Sequence, residues 1–200
     1  MKLDKLKKEN IKVIKHNFNL LTASGVNGKN IIKMISDVEN KRYNIVGYGS
    51  LLNKPDAQRT FSNIKSFTPG RLHGWERIFN LKSDYAYLNV RKNQNISIDV
   101  SVINISAEGM VKFIMRELYY DIIDVKLEDG KNAKMVVSSL VSSKTVPSLC
   151  YVGLCMEGMK SIGSVDKFLD ESKTNFGTLR EWLTELDIVS YMKHRTHLSR

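Results

Sequence analysis

The chain has 200 residues, 42% of them hydrophobic, with only three prolines and a formal net charge of +10. That length suits one domain with a buried core plus an appendage, and the composition is that of a soluble globular protein, so disorder is not the expectation. No apolar run approaches the ~20 residues that cross a bilayer, and the charged start Met1-Lys2-Leu3-Asp4-Lys5 lacks the apolar stretch of a secretory signal.

Leu3, Leu6, Ile14, Phe18 and Leu21 recur at roughly helical spacing with lysines between them. Ile31, Ile32, Ile35 and Val38 do the same after the break at Gly25 and Gly28. Two amphipathic helices are therefore predicted before residue 43, their apolar stripes packing on the body, on a partner protein or on a second copy. Residues 1–43 also hold ten Lys or Arg against Asp4, Glu9, Asp37 and Glu39, a basic surface suited to solubility or loose association with polyanions. A dedicated nucleic-acid module would interleave stacking aromatics among its basic residues. Phe18 is the only aromatic in the first 40 residues, so nucleic acid is not an expected partner, and neither is a membrane.

From Tyr43 the pattern changes. Ile45-Val46-Gly47-Tyr48 reads as a short buried strand entering a glycine loop. Strands are predicted at 71–81, at 85–90 and at 96–105, the last with Ile96, Ile98, Val100 and Val102 on one face. Ser106 is a candidate N-cap, with Glu108 in the first turn and Met110 to Glu117 continuing the helix. Strands at 120–127 and 134–141 flank Asp129-Gly130, a hairpin signal. Helices follow at 152–162, 166–173 and 178–193, and Lys193, Arg195 and Arg200 make the last residues basic. The fold class expected is α+β, mostly antiparallel and flanked by helices. Its parts are a basic helical extension at 1–43, a domain at 44–190 and a basic tail at 191–200.

Two stretches carry candidate chemistry. In Gly47-Tyr48-Gly49-Ser50-Leu51, two glycines after a strand permit unusual torsions and close approach of the main chain to a ligand. If residues 54–60 open a helix, the amides of this loop converge on one small space suited to a carboxylate or oxyanion. A dinucleotide fingerprint would need a third glycine or alanine where Leu52 stands, and a hydrolase nucleophile elbow would need glycines in place of Tyr48 and Leu52 around Ser50. In Arg116-Glu117-Leu118-Tyr119-Tyr120, Glu117 sits where an apolar helix hands over to a strand. A carboxylate drawn into a cavity there becomes a better proton acceptor. Cys150 and Cys155, with four scattered histidines, form no set at zinc-ligand spacing, so no metal is expected. Two buried free thiols in a reducing cytoplasm are the expectation.

These residues together resemble the gamma-glutamylcyclotransferase superfamily. The resemblance runs from Tyr48-Gly49-Ser50, through Gly70-Arg71-Leu72-His73-Gly74-Trp75-Glu76 and Tyr87-Leu88-Asn89-Val90, to Arg116-Glu117 with Tyr120 three places on. Pro147 to Tyr151, Glu157-Gly158 and Phe168-Leu169 extend it, so that residues 44–190 are covered. Leu51 stands where many members have asparagine, as in the glutathione-degrading branch, and residues 1–43 have no counterpart in compact members. The resemblance implies a small, partly closed β-barrel with a pocket between the Tyr-Gly-Ser loop and the glutamate. It implies cleavage of a gamma-glutamyl amide by its own α-amine to give 5-oxoproline and a free amine. Glu117 would be the general acid/base, with Tyr48, Gly49, Ser50, Leu51 and Tyr120 binding substrate and no cofactor required. The rival reading is a non-catalytic relative that uses the same fold to bind a small molecule or a partner.

Overall fold

A computed structural model describes residues 3–81 and 83–186. Three helices precede the sheet, α1 at Leu3–His16, α2 at Phe18–Ala23 and α3 at Gly28–Ser36. The first predicted helix is thus broken in two. Asn17 lies at the break, its side chain donating to Val13 O at 3.0 Å, the local bonding by which asparagine competes with a continuing helix. Asn27 caps α3 by accepting from Asn30 N at 3.1 Å. Leu6, Ile14, Ile31 and Ile35 enter the same core as the sheet, so these stripes are covered by the body of the chain.

The sheet is built on β1 (Tyr43–Gly47), β2 (Ser66–Leu81) and β3 (Tyr87–Ile105). β3 merges two predicted strands. Its middle, 91–95, is polar and mostly exposed; Arg91 and Lys92 are held by the β2 ladder, by the Arg91–Glu76 ion pair and by Lys92 over the Trp75 ring at 3.9 Å, while 93–95 bulge past Gly74 without a ladder partner. The ladder shifts register between His73 and Trp75, where Gly74 adopts φ +79, a torsion that glycine tolerates without strain.

Helix α5 (Ala107–Arg116) follows, capped as predicted by Ser106 Oγ accepting from Gly109 N at 3.2 Å. It buries Met110, Val111, Phe113 and Ile114, and a side chain of this size contributes ~1.5–3 kcal/mol when removed from water. β4 (Asp121–Lys126) and β5 (Asn132–Val137) form the predicted hairpin, with Gly130 at φ +84 in the turn. β5 stops short of 141 because Asn89 captures Ser138 from both sides, accepting from its N–H at 3.0 Å and donating to its carbonyl at 2.8 Å.

The remainder is α6 (Leu149–Ile162), α7 (Val165–Glu171), two-residue strands β6 (Lys173–Thr174) and β7 (Gly177–Thr178), and α8 (Leu179–Glu185). Thr178 and Glu181 form a reciprocal capping box at the start of α8. The part of the predicted 178–193 helix beyond 186, and the 191–200 tail, lie outside the described residues.

The strand order is β4-β5-β1-β3-β2-β6-β7. Neighbours pair antiparallel except β1 with β5 and β2 with β6, which are parallel and meet at one register pair each. The expected barrel is therefore corrected to an open sheet, since β4 and β7 end the order without pairing among the described residues. Strands of two residues at one edge are too short to supply the staggered ladder that closure needs. The class is mixed α+β. Among the described residues no helix is long and apolar enough to cross a membrane.

Candidate active site

β1 lies centrally, paired to β3 on one side and β5 on the other, and its carboxyl end delivers the glycine loop. After Gly49 the chain makes one 3-10 turn at Ser50–Leu52 and enters α4 at Lys54–Thr60. Asn53 caps α4 by accepting from Asp56 N at 3.1 Å, and a proline occupies its first turn, as favoured helix starts do. Leu52 N and Asn53 N donate to the carbonyls of Gly49 and Ser50 and the Ser50 amide bonds the Tyr151 hydroxyl, so Gly49 and Leu51 are the loop's candidate amide donors.

Neither loop glycine has a positive φ, though Gly49, at φ −122 and ψ −126, lies outside the regular helix and strand regions. Close contact requires glycine at both positions. A Cβ on Gly47 would lie 2.4 Å from Ser101 Oγ and 2.6 Å from Leu51 Cβ, and one on Gly49 would lie 2.4 Å from the Tyr151 hydroxyl. Ser101, fully buried on β3 opposite Gly47, donates to Leu51 O at 2.7 Å. From the other side α6 seats Gly158 on the backbone of Leu52 and Asn53.

Glu117 is the C-cap of α5, and its side chain is only 12% exposed. It lines one cavity with Tyr48, Gly49, Ser50, Leu51 and Tyr120, joined by Leu88, Val136 and Tyr151. All six candidate residues thus border a single space of about 40 Å³, room for about three water molecules at ~10–15 Å³ each. Burial raises the Glu117 carboxyl above its ordinary 4.5; the Arg116 guanidinium opposes this and Asp56 adds to it.

The tyrosines differ in what they offer. Tyr48 is buried, and its hydroxyl donates to Val136 O at 2.9 Å, so it presents ring surface to the cavity with its proton already committed. Tyr120 is half-buried, and burial, then the Glu117 charge, raises its phenol. Tyr151 is packed edge-on to Tyr87 and Phe79, with ring centroids 5.0 and 6.3 Å away. Burial raises its phenol too, against a hydrogen bond from the Ser50 amide.

Arg116 was expected only as a neighbour of the glutamate. Its Nε donates to Glu117 Oε1 at 3.0 Å, Nη1 to Thr60 Oγ1 at 2.5 Å, and Nη2 to Ser50 Oγ at 2.8 Å and Asp56 Oδ2 at 3.1 Å. Asp56, Thr60 and Ser101 had no part in the expected site. The one hint of Ser101 in the sequence is a serine between two valines of an apolar strand. Among the described residues no group of three His, Cys, Asp or Glu is placed to hold a metal. Both cysteines are free, but only Cys155 is buried; Cys150, expected inside, is exposed near the start of α6.

No protein-family model and no curated protein matches the sequence. Solved structures do resemble the fold. One described as a gamma-glutamyl cyclotransferase is 15% identical with a TM-score of 0.56, over 62% of this chain and 81% of that one. An uncharacterized protein from Homo sapiens is 16% identical with a TM-score of 0.55, over 62% of this chain and 82% of its own. YkqA from Bacillus subtilis is 18% identical with a TM-score of 0.58, over 77% of this chain and 58% of its own. At these identities the likeness is one of architecture: the chain has a gamma-glutamylcyclotransferase-like fold.

Proposed function

We propose that the protein cleaves a gamma-glutamyl amide by intramolecular cyclisation, releasing 5-oxoproline and a free amine. In this reading the substrate's α-ammonium gives a proton to the Glu117 carboxylate and the freed amine attacks the γ-carbonyl. The tetrahedral intermediate then collapses as Glu117 returns the proton to the departing nitrogen. The ring nitrogen loses its second proton, again through Glu117, so two protons pass from the α-nitrogen to the departing amine, which leaves as an ammonium group, while one C–N bond forms and one breaks.

The observation that carries this reading is the placement of the Glu117 carboxyl, 12% exposed, in the same cavity as the Tyr48 to Leu51 loop. A carboxyl with its pKa raised by burial is a stronger base, and a positioned base contributes ~100- to 10,000-fold. Holding the substrate folded for attack draws on the ~7–11 kcal/mol available from orientation. Amides of Gly49 and Leu51 would bind the substrate's α-carboxylate or the developing oxyanion, and Tyr120 would donate from the cavity wall. The cavity is smaller than a gamma-glutamyl group, so binding requires the lining side chains to give way.

The test is a screen of gamma-glutamyl dipeptides, glutathione and gamma-glutamylamines with the full chain, reading 5-oxoproline. Turnover of at least one class is expected. Ligand binding without any turnover would favour the non-catalytic relative.

A further inference from the structure

Arg116 stands between two carboxylates and two hydroxyls, and every guanidinium nitrogen is engaged. Asp56 and Thr60 are one turn apart on α4 and grip the guanidinium from one side. On the other side it reaches Ser50 in the glycine loop and Glu117 at the end of α5. One cation therefore serves two carboxylates whose side chains are 16% and 12% exposed. An isolated arginine–glutamate pair in such surroundings holds the glutamate in its charged form and makes it a poor base. Sharing the cation with a second carboxylate weakens that hold, and the planar fork still fixes the geometry.

We propose that Asp56, acting through Arg116, is a positioning residue that holds Glu117 towards the Ser50 loop while keeping the guanidinium from neutralising it as a base. The proposal rests on the cyclotransferase reading for its consequence in turnover, but not for its electrostatics. The remaining titratable groups facing Glu117 are Tyr48, on the loop after β1, and Tyr120, before β4; Tyr151 lines the same cavity from α6. Burial raises all three phenols, so they stay uncharged while the carboxyl titrates. The two charges that act on it are then Arg116 and Asp56, with opposite sign.

The experiment follows the Glu117 side-chain carboxyl by carbon-13 NMR across pH in the full-length wild type, Asp56→Asn and Arg116→Gln, alongside kcat and KM for 5-oxoproline release. Asp56→Asn is expected to lower the Glu117 midpoint and Arg116→Gln to raise it. In Asp56→Asn the acid limb of the kcat profile should move to lower pH, with kcat falling about 10- to 100-fold, the loss expected from a small misplacement, and KM changing less. Arg116→Lys should restore the sign of the charge but not the four-point grip, recovering the wild-type midpoint more fully than kcat. An unchanged or raised midpoint in folded Asp56→Asn overturns the proposal. Opposed midpoint shifts in a protein that turns over no gamma-glutamyl substrate support the coupling and overturn the cyclotransferase reading.

Discussion

The Tyr151 hydroxyl occupies the space in which Gly49 would carry a side chain, for a Cβ there falls 2.4 Å from the phenolic oxygen. Once that oxygen is removed, the next neighbours are a Tyr151 ring carbon at 3.6 Å and Leu88 Cβ at 3.7 Å, both ordinary contacts. Gly49→Ala should therefore destabilise the chain by ~1–3 kcal/mol through overpacking. Combining it with Tyr151→Phe should recover part of that loss, giving a favourable coupling energy in denaturant unfolding. Strict additivity would show that the two residues do not compete for the same space.

A second prediction concerns α6. A Cβ on Gly158 would meet Leu52 C at 2.5 Å and Asn53 N at 2.6 Å, backbone atoms that cannot swing aside, whereas Gly153 on the same helix has nothing within 4 Å. Gly158→Ala should cost ~1–3 kcal/mol. Gly153→Ala should be neutral or stabilising by up to ~1 kcal/mol, the difference in helix propensity. Thermal unfolding of the pair checks this, and equal effects would contradict the contact between α6 and the loop.

The glycine loop, the Ser106 cap and the hairpin turn were legible because each is a local device, written in residues a few positions apart. What the glycines do was not legible. Apart from the turn back onto Leu51, their need arises from Ser101 and Tyr151, which lie 54 and 102 positions away from Gly47 and Gly49, and no local pattern announces a close tertiary approach. Arg116 was overlooked for a related reason. Arginine beside glutamate at a helix end usually reads as a solvated pair, and only the packing of α4 on α5 turns it into the link between loop and carboxyl. The join of the two halves of β3 was hidden by 91–95, where polar residues replace the alternation that marks a strand facing a core. Barrel closure, inferred from resemblance, is not seen: the sheet ends at β4 and β7 among the described residues, and the end of β2 meets the chain beyond β5 only at the single bridge Leu81–Val141.

Glu117 also makes stability depend on pH with a definite sign. Its folded pKa is raised above the ordinary 4.5, so its contribution to stability is fully present below that value and is lost as pH rises through the folded pKa. Glu117→Gln, neutral at every pH, escapes this loss. The stability of the glutamine variant relative to wild type should therefore increase from about pH 4.5 towards neutrality, as read from urea midpoints at several pH values. A difference that narrows in that direction would mean that the Arg116 attraction outweighs desolvation.

The most direct measurement is 5-oxoproline release from a gamma-glutamyl amide by the wild type and by Glu117→Gln, side by side, with circular dichroism to establish that both are folded. The account predicts release by the wild type and a loss of about 100- to 10,000-fold in the variant, the contribution of a positioned base. A folded glutamine variant that releases 5-oxoproline at the wild-type rate would contradict it.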